Sequence, residues 1–152
     1  MGKGEDSSTE LAVVDDPEQL AMVLAGMADV PFEDPSAVQL AIVRRILSAK
    51  DAAEAMAETP TYSTQDLIGE TIEVLDCRVF KSRYDGQGGF LACDALRLKT
   101  GERCIVNSSA AKVAARIAWH WQHDALPARF TITELEGETA SGYKVLDVQA
   151  AA

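Results

Sequence analysis

Thr71-Ile72-Glu73-Val74-Leu75-Asp76-Cys77-Arg78-Val79-Phe80 and Gly89-Phe90-Leu91-Ala92-Cys93-Asp94-Ala95-Leu96-Arg97-Leu98 decide how this chain is read. Both are rich in β-branched, aromatic and small apolar residues and alternate in polarity with a period of two, which is the signature of strands. In the first, Ile72 and Val74 share a phase opposite Glu73, and the phase slips near Leu75-Asp76, so that Cys77 and Val79 oppose Arg78 and Phe80. A slip of this kind predicts a β-bulge, the device that bends a strand around a barrel. In the second, Phe90, Ala92, Leu96 and Leu98 read as the inward set, with Arg97 and Lys99 opposite. Thr100-Gly101 turns the chain into a third strand, Arg103 to Asn107. A helix from Ser109 to Gln122 follows, with Ser108 or Ser109 as its cap and Val113, Ile117 and Trp121 along one face. Leu126-Pro127 breaks the chain before a fourth strand, Ala128 to Glu136, and a fifth runs from Tyr143 to Gln149.

Three strands, a helix and two strands, in that order, predict a mainly β fold. It is a five-stranded OB-fold Greek-key barrel with a helix between strands three and four. The barrel domain spans residues 67–149. Before it the chain reads as an acidic disordered tail over 1–14, a small helical extension over 15–58 and a polar linker over 59–66. Asp16-Pro17-Glu18 and Asp34-Pro35 are two helix starts. Leu20, Val23, Leu24 and Met27 give the first helix its apolar face; Val38, Ile42, Val43 and Ile46 give the second its own.

Charge separates the same two parts. The net charge is −10, and residues 1–66 hold 13 acids against four bases, while the rest is close to neutral. Phosphate neutralisation supplies much of the affinity of a nucleic-acid binder. Any such activity therefore belongs to the barrel, and the acidic helices suit either packing on it or docking a partner protein. No stretch of about 18 apolar residues predicts a membrane span. The first residues lack the apolar core of a signal peptide, so a cytoplasmic location is expected. Cys77, Cys93 and Cys104 lie inside strands, without metal-ligand spacing, and read as reduced packing residues.

The connection between the first two strands is the richest in chemistry: Lys81-Ser82-Arg83-Tyr84-Asp85-Gly86-Gln87-Gly88-Gly89. Single strands are held by cations that track phosphates and rings that stack on bases. OB-folds bind through the face of strands two and three and the loops joining strands one to two and four to five. Those regions hold Arg78, Phe80, Lys81, Arg83, Tyr84, Arg97, Lys99, Arg103, Tyr143 and Lys144, which form the candidate binding set.

Residues 66–148 resemble the small OB-fold single-stranded-DNA-binding proteins of bacteriophages and related mobile elements. The similar elements are Leu67-Ile68-Gly69, Thr100-Gly101-Glu102, the Ser-initiated helix, Leu126-Pro127 and Ser141-Gly142-Tyr143. The resemblance implies a non-catalytic protein that coats and protects unpaired strands during replication or recombination, without sequence preference. It implies a bacterial cell or phage-infected host as the setting. Single-stranded DNA is the expected partner; replication or recombination proteins at the acidic helices, and a second copy of the chain, are further candidates. The alternative is a protein-interaction module whose acidic helices are the functional part.

Other chemistry is not supported. His120 and His123 lack two further ligands of suitable type for zinc. Ser108-Ser109 has no nearby His-Asp pair, and no phosphate-loop or dinucleotide fingerprint occurs. Neither an enzyme nor a cofactor is expected.

Overall fold

The structure, a computed structural model, describes residues 12–14, 16–27, 35–81, 89–138 and 144–152. Its frame is one mixed sheet of seven strands. These are β1 (Ala12–Val14), β2 (Thr61–Ser63), β3 (Thr71–Lys81), β4 (Gly89–Arg97), β5 (Glu102–Ser108), β6 (Ala128–Glu138) and β7 (Lys144–Ala151). The helices are α1 (Pro17–Ala25), α2 (Pro35–Leu47), α3 (Ala52–Met56) and α4 (Ala111–Gln122).

β3, β4 and β5 form an antiparallel meander, β6 returns to the other edge of β3, and β7 pairs with β6. The bulge falls where the phase slip placed it: the β3–β4 register shifts between Val74 and Asp76, with Leu75 as the extra residue. Below it Ile72 and Val74 face the inner core; above it Cys77 and Val79 do. The bulge thus keeps one face of a bent strand apolar along its whole length. Gly101 makes the β4–β5 turn at φ 76°, a left-handed value that favours glycine.

Two strands lie outside the five expected. β1 adds to β3 through Val14–Val79, Val13–Phe80 and Ala12–Lys81, so the tail expected to be disordered through residue 14 is strand by residue 12. β2 falls in the expected linker and runs parallel to β5, opposing Tyr62 to Val106. The edge of β5 needs partners for its N–H and C=O groups, and Thr61–Ser63 supplies them. The order is β2-β5-β4-β3-β6-β7, a curled sheet rather than a five-stranded ring. The short 3-10 turn Thr64–Leu67 then leads back towards β6, where Gly69 N donates to Ile132 O at 2.8 Å and Ile132 N donates to Glu70 O at 3.0 Å.

Both faces of the central strands are covered. On the inner face Val113, Ala114, Ile117 and Ala118 of α4 join Val79, Leu91, Cys93, Val106, Phe130 and Ile132, with Leu20, Val23 and Met27 from α1. On the outer face α2 sets Ala37 against Phe80, Phe90 and Ala92, flanked by Val38, Leu40 and Ala41. Phe90 and Ala92, expected inside, therefore point outward, and Leu91, Cys93 and Ala95 point in. A strand buried on both sides shows no polar phase from which to tell in from out. The buried stripe of α2 is likewise rotated from the expected one: Ala37 and Arg45 are buried, and Val43 is exposed. Small residues at Ala37 and Ala41 let the helix approach the phenylalanines closely.

Helix starts follow the expected chemistry in part. Asp16 caps α1 by accepting from Gln19 N at 3.4 Å. α4 begins differently: its cap is Ala110, and Ser108 accepts from Ala110 N at 3.2 Å while bonded to Thr64 at 3.1 Å. Ser108 is held in the core by that hydroxyl pair rather than at the helix end.

Gly89 sits where α1 meets the start of β4. Its φ is +144°, and a Cβ there would lie 2.2 Å from Phe80 O and 2.9 Å from Val23 Cγ1. A backbone carbonyl cannot step aside as a side chain can. We predict that Gly89→Ala lowers unfolding free energy by roughly 2–4 kcal/mol, read as a shift in urea midpoint at unchanged slope. A midpoint equal to wild type would show that the approach of β4 to β3 is not tight.

Candidate nucleic-acid interface

The expected binding residues are not gathered in one place. Alternation along the strands separates the two central arginines: Arg97 opposes Glu102, and Arg103 opposes Leu96. Neighbours along a strand point to opposite faces, so Arg97 and Arg103 stand on opposite sides of the sheet. Arg97 forms a fork with Glu70 at 3.0 and 2.7 Å, reaches Glu102 at 3.2 Å and donates to Tyr62 Oη at 3.1 Å. Its guanidinium also lies 4.8 Å from the Tyr62 ring centre. It is a structural clasp between β2, β4 and the start of β3. Phe80 is likewise removed from the set: it is 1% exposed and stacks on Phe90, centroids 5.6 Å apart, beneath α2.

Lys81, at the end of β3, and Lys99, in the β4–β5 turn, are exposed and far apart along the sheet. Lys144, at the start of β7, lies 3.7 Å from Glu134. Arg83, Tyr84 and Tyr143 lie outside the described residues.

Arg78 and Arg103 do share a site. A cleft of about 470 Å³ lies between α2 and the outer face of β3, β4 and β5. Arg44 and Arg45 enter it from the helix, Arg78 and Arg103 from the sheet, and Asp76 and Asp94 accompany them. Its apolar lining includes Phe80, Ala92 and Ile105. Arg103 forks onto Asp94 at 3.0 and 2.7 Å and meets Glu54 of α3 and Ser48. Arg78 pairs with Asp76 at 2.7 Å and lies 5.2 Å from the Trp121 ring centre. Four arginines against Asp76, Asp94 and the Glu54 carboxylate paired with Arg103 leave one positive charge over at the cleft, in a chain whose net charge is −10.

Sequence reading missed Arg44, Arg45, Asp76, Asp94 and Glu54. The available signal was the spacing Ala37-Ala41-Arg45, four residues apart on one stripe of α2. It places an arginine on a face otherwise built for close contact.

The three cysteines are buried packing residues. Burial pushes the Cys104 thiol up to about 12. Cys93 is raised by its contact with Cys77 and by burial, so neither is a thiolate near neutral pH. His120 and His123 each bond a backbone carbonyl through Nδ1, Arg116 O and Trp119 O, both at 2.8 Å. Among the described residues no group of three or more His, Cys, Asp and Glu side chains is placed to hold a metal ion. No helix among them is long and apolar enough to cross a membrane.

No known protein family, characterised protein or solved structure matches this chain. Its functional reading therefore rests on residues and geometry.

The Arg97 fork holds the Glu70 carboxyl below the usual glutamate range, and Arg116 does the same for Asp147. A depressed folded value stabilises the fold fully above the unfolded value, about 4.3 for glutamate. That contribution disappears as pH falls through the lower folded value. We predict that the urea midpoint falls as pH is lowered below about 4, and that Glu70→Gln flattens this part of the profile. Parallel profiles for the two proteins would show that the clasp is not coupled to folding.

Proposed function

We propose that this chain binds single-stranded DNA without catalysis, in the manner of the small OB-fold single-strand binders that residues 66–148 resemble. Strand connectivity supports the fold half of this reading. The meander β3-β4-β5, the helix α4, the return of β6 to β3 and the final β7 follow OB order, with β2 standing at the edge of β5. The functional half is carried by one observation. The outer face of β4 and β5, where OB-folds take their ligands, holds the arginine-lined cleft, with four of the chain's eight arginines. Its volume falls within the usual range for ligand sites, about 300–1,000 Å³. It offers guanidinium groups for phosphates.

The second reading is the protein-interaction module. Met22, Leu47 and Met56 stand 75%, 80% and 85% exposed on the acidic helical segment, an arrangement suited to a partner surface.

Titration with oligo-dT at about 50 and 200 mM salt separates the two. Single-strand binding predicts quenching of aromatic fluorescence and affinity that falls with salt, log K against log salt having a slope of about −0.7 per neutralised phosphate. Absence of binding at the lower salt would favour the interaction module. We further predict that replacing Arg83 and Tyr84 together by alanine weakens oligo-dT binding at least about tenfold with the fold intact, because one stacked base and one phosphate contact amount to about 2 kcal/mol or more. Unchanged affinity would remove the β3–β4 connection from the site.

A further inference from the structure

Arg45 is 2% exposed, the most deeply buried charged side chain among the described residues. A guanidinium at that depth ordinarily faces a carboxylate, because an uncompensated buried charge is costly. Arg45 does not. Its Nη1 donates to the backbone oxygen of Glu54 at 2.9 Å, its Nε has no acceptor, and among the described residues no carboxylate is paired with it. The acids around the cleft are committed elsewhere: Glu54 and Asp94 both accept from Arg103, and Asp76 accepts from Arg78. Ser48, just past the end of α2, donates to Arg45 O at 2.9 Å and accepts from Arg103 at 3.2 Å, tying the two arginines to the same corner of the cleft. Arg44 adds a third cation with only a loose contact, 4.0 Å, to Asp76.

We propose that Arg45, with Arg44 beside it, is a seat for one phosphate group, and that α2 is therefore a wall of the binding groove and not an appendage to it. A phosphate carries the acceptor oxygens that a planar guanidinium fork matches, and it would supply the counter-charge Arg45 lacks. The seat itself follows from Arg45 and its surroundings. That the phosphate belongs to an unpaired strand rests on the reading under Proposed function; a free phosphate compound is the other source of the same chemistry.

Arg45→Met is the test, because methionine fills the space of the arginine stem and removes the unpaired charge. The expected result has three parts. The thermal midpoint of the free protein stays level or rises. Oligo-dT affinity falls about tenfold, with a salt slope shallower by about 0.7. Millimolar pyrophosphate raises the thermal midpoint of the wild type, relative to chloride at equal ionic strength, and leaves that of the variant unmoved. A variant that is less stable yet keeps both responses would make Arg45 a purely structural residue and overturn the seat. A wild type stabilised by pyrophosphate through Arg45 but indifferent to oligo-dT would keep the seat and reject the single-strand reading. Should Arg45→Met fail to fold, Arg45→Lys retains the charge and loses the fork. A weakening of several-fold is then expected for both ligands, and unchanged affinity overturns the proposal.

Discussion

The contact on which the outer half of this molecule depends is Phe80 against Phe90, paired across β3 and β4 and pressed under Ala37. It converts the middle of the sheet from a surface with one wet face into a layer buried on both. Large rings on the strands and alanines on the helix are complementary; a bulky residue at Ala37, 0% exposed, would hold α2 away. Once α2 is seated, the positions further along the same stripe are determined. Arg45 follows Ala37 by eight residues, slightly more than two helical turns, and arrives over the sheet whether or not a counter-charge awaits it. The cleft and its arginines are thus consequences of an apolar contact made at the other end of the helix.

Two arginines illustrate opposite uses of one side chain. Arg97 is saturated by Glu70, Glu102 and the Tyr62 hydroxyl, and a ligand would have to displace carboxylates already held in fork geometry. That arrangement joins β2 to the sheet and leaves nothing for a partner. Arg45 is buried more deeply and satisfied less, with one backbone acceptor. Desolvation has been incurred there without the compensation that normally accompanies it. Arg103 is held as fully as Arg97: its fork to Asp94 is complete, it bonds Ser48, and its contact with Glu54 ties the sheet to α3. Counting cations along the sequence gives all three equal weight; counting their acceptors does not.

The inner face of the curled sheet was legible in the sequence because its signals are local. Period-two alternation located β3 and β4, and the slip near Leu75-Asp76 gave the bulge. Gly101 gave the turn, and the four-residue spacing of Val113 and Ile117 gave the buried face of α4. The rest depends on partners distant in the chain. β1 and β2 are three residues each, too short to show a period, and are strands only because edges of β3 and β5 are open beside them. The direction of Phe90 was misread because both phases of β4 are apolar, which makes inside and outside equivalent until a helix covers one of them. Of the expected binding residues, Arg78 and Arg103 reached the cleft by the odd-even register of their strands. Arg97 was carried to the other face by the same rule. Arg45 escaped notice because arginine on a short helix ordinarily reads as a solvated face, and its burial is set by the residues eight and four positions before it.

Charge at a distance and charge at contact point in different directions here, and the difference bears on how the proposed ligand would be held. A chain of net charge −10 repels a polyanion at separations comparable to the screening length, about 8–10 Å in physiological salt. Association would not be steered as it is for proteins with a basic surface. In the cleft, Arg45 is 2% exposed, so that a contact made there is screened less than one on the surface. Such a site favours a chain that can thread one phosphate at a time into a narrow space.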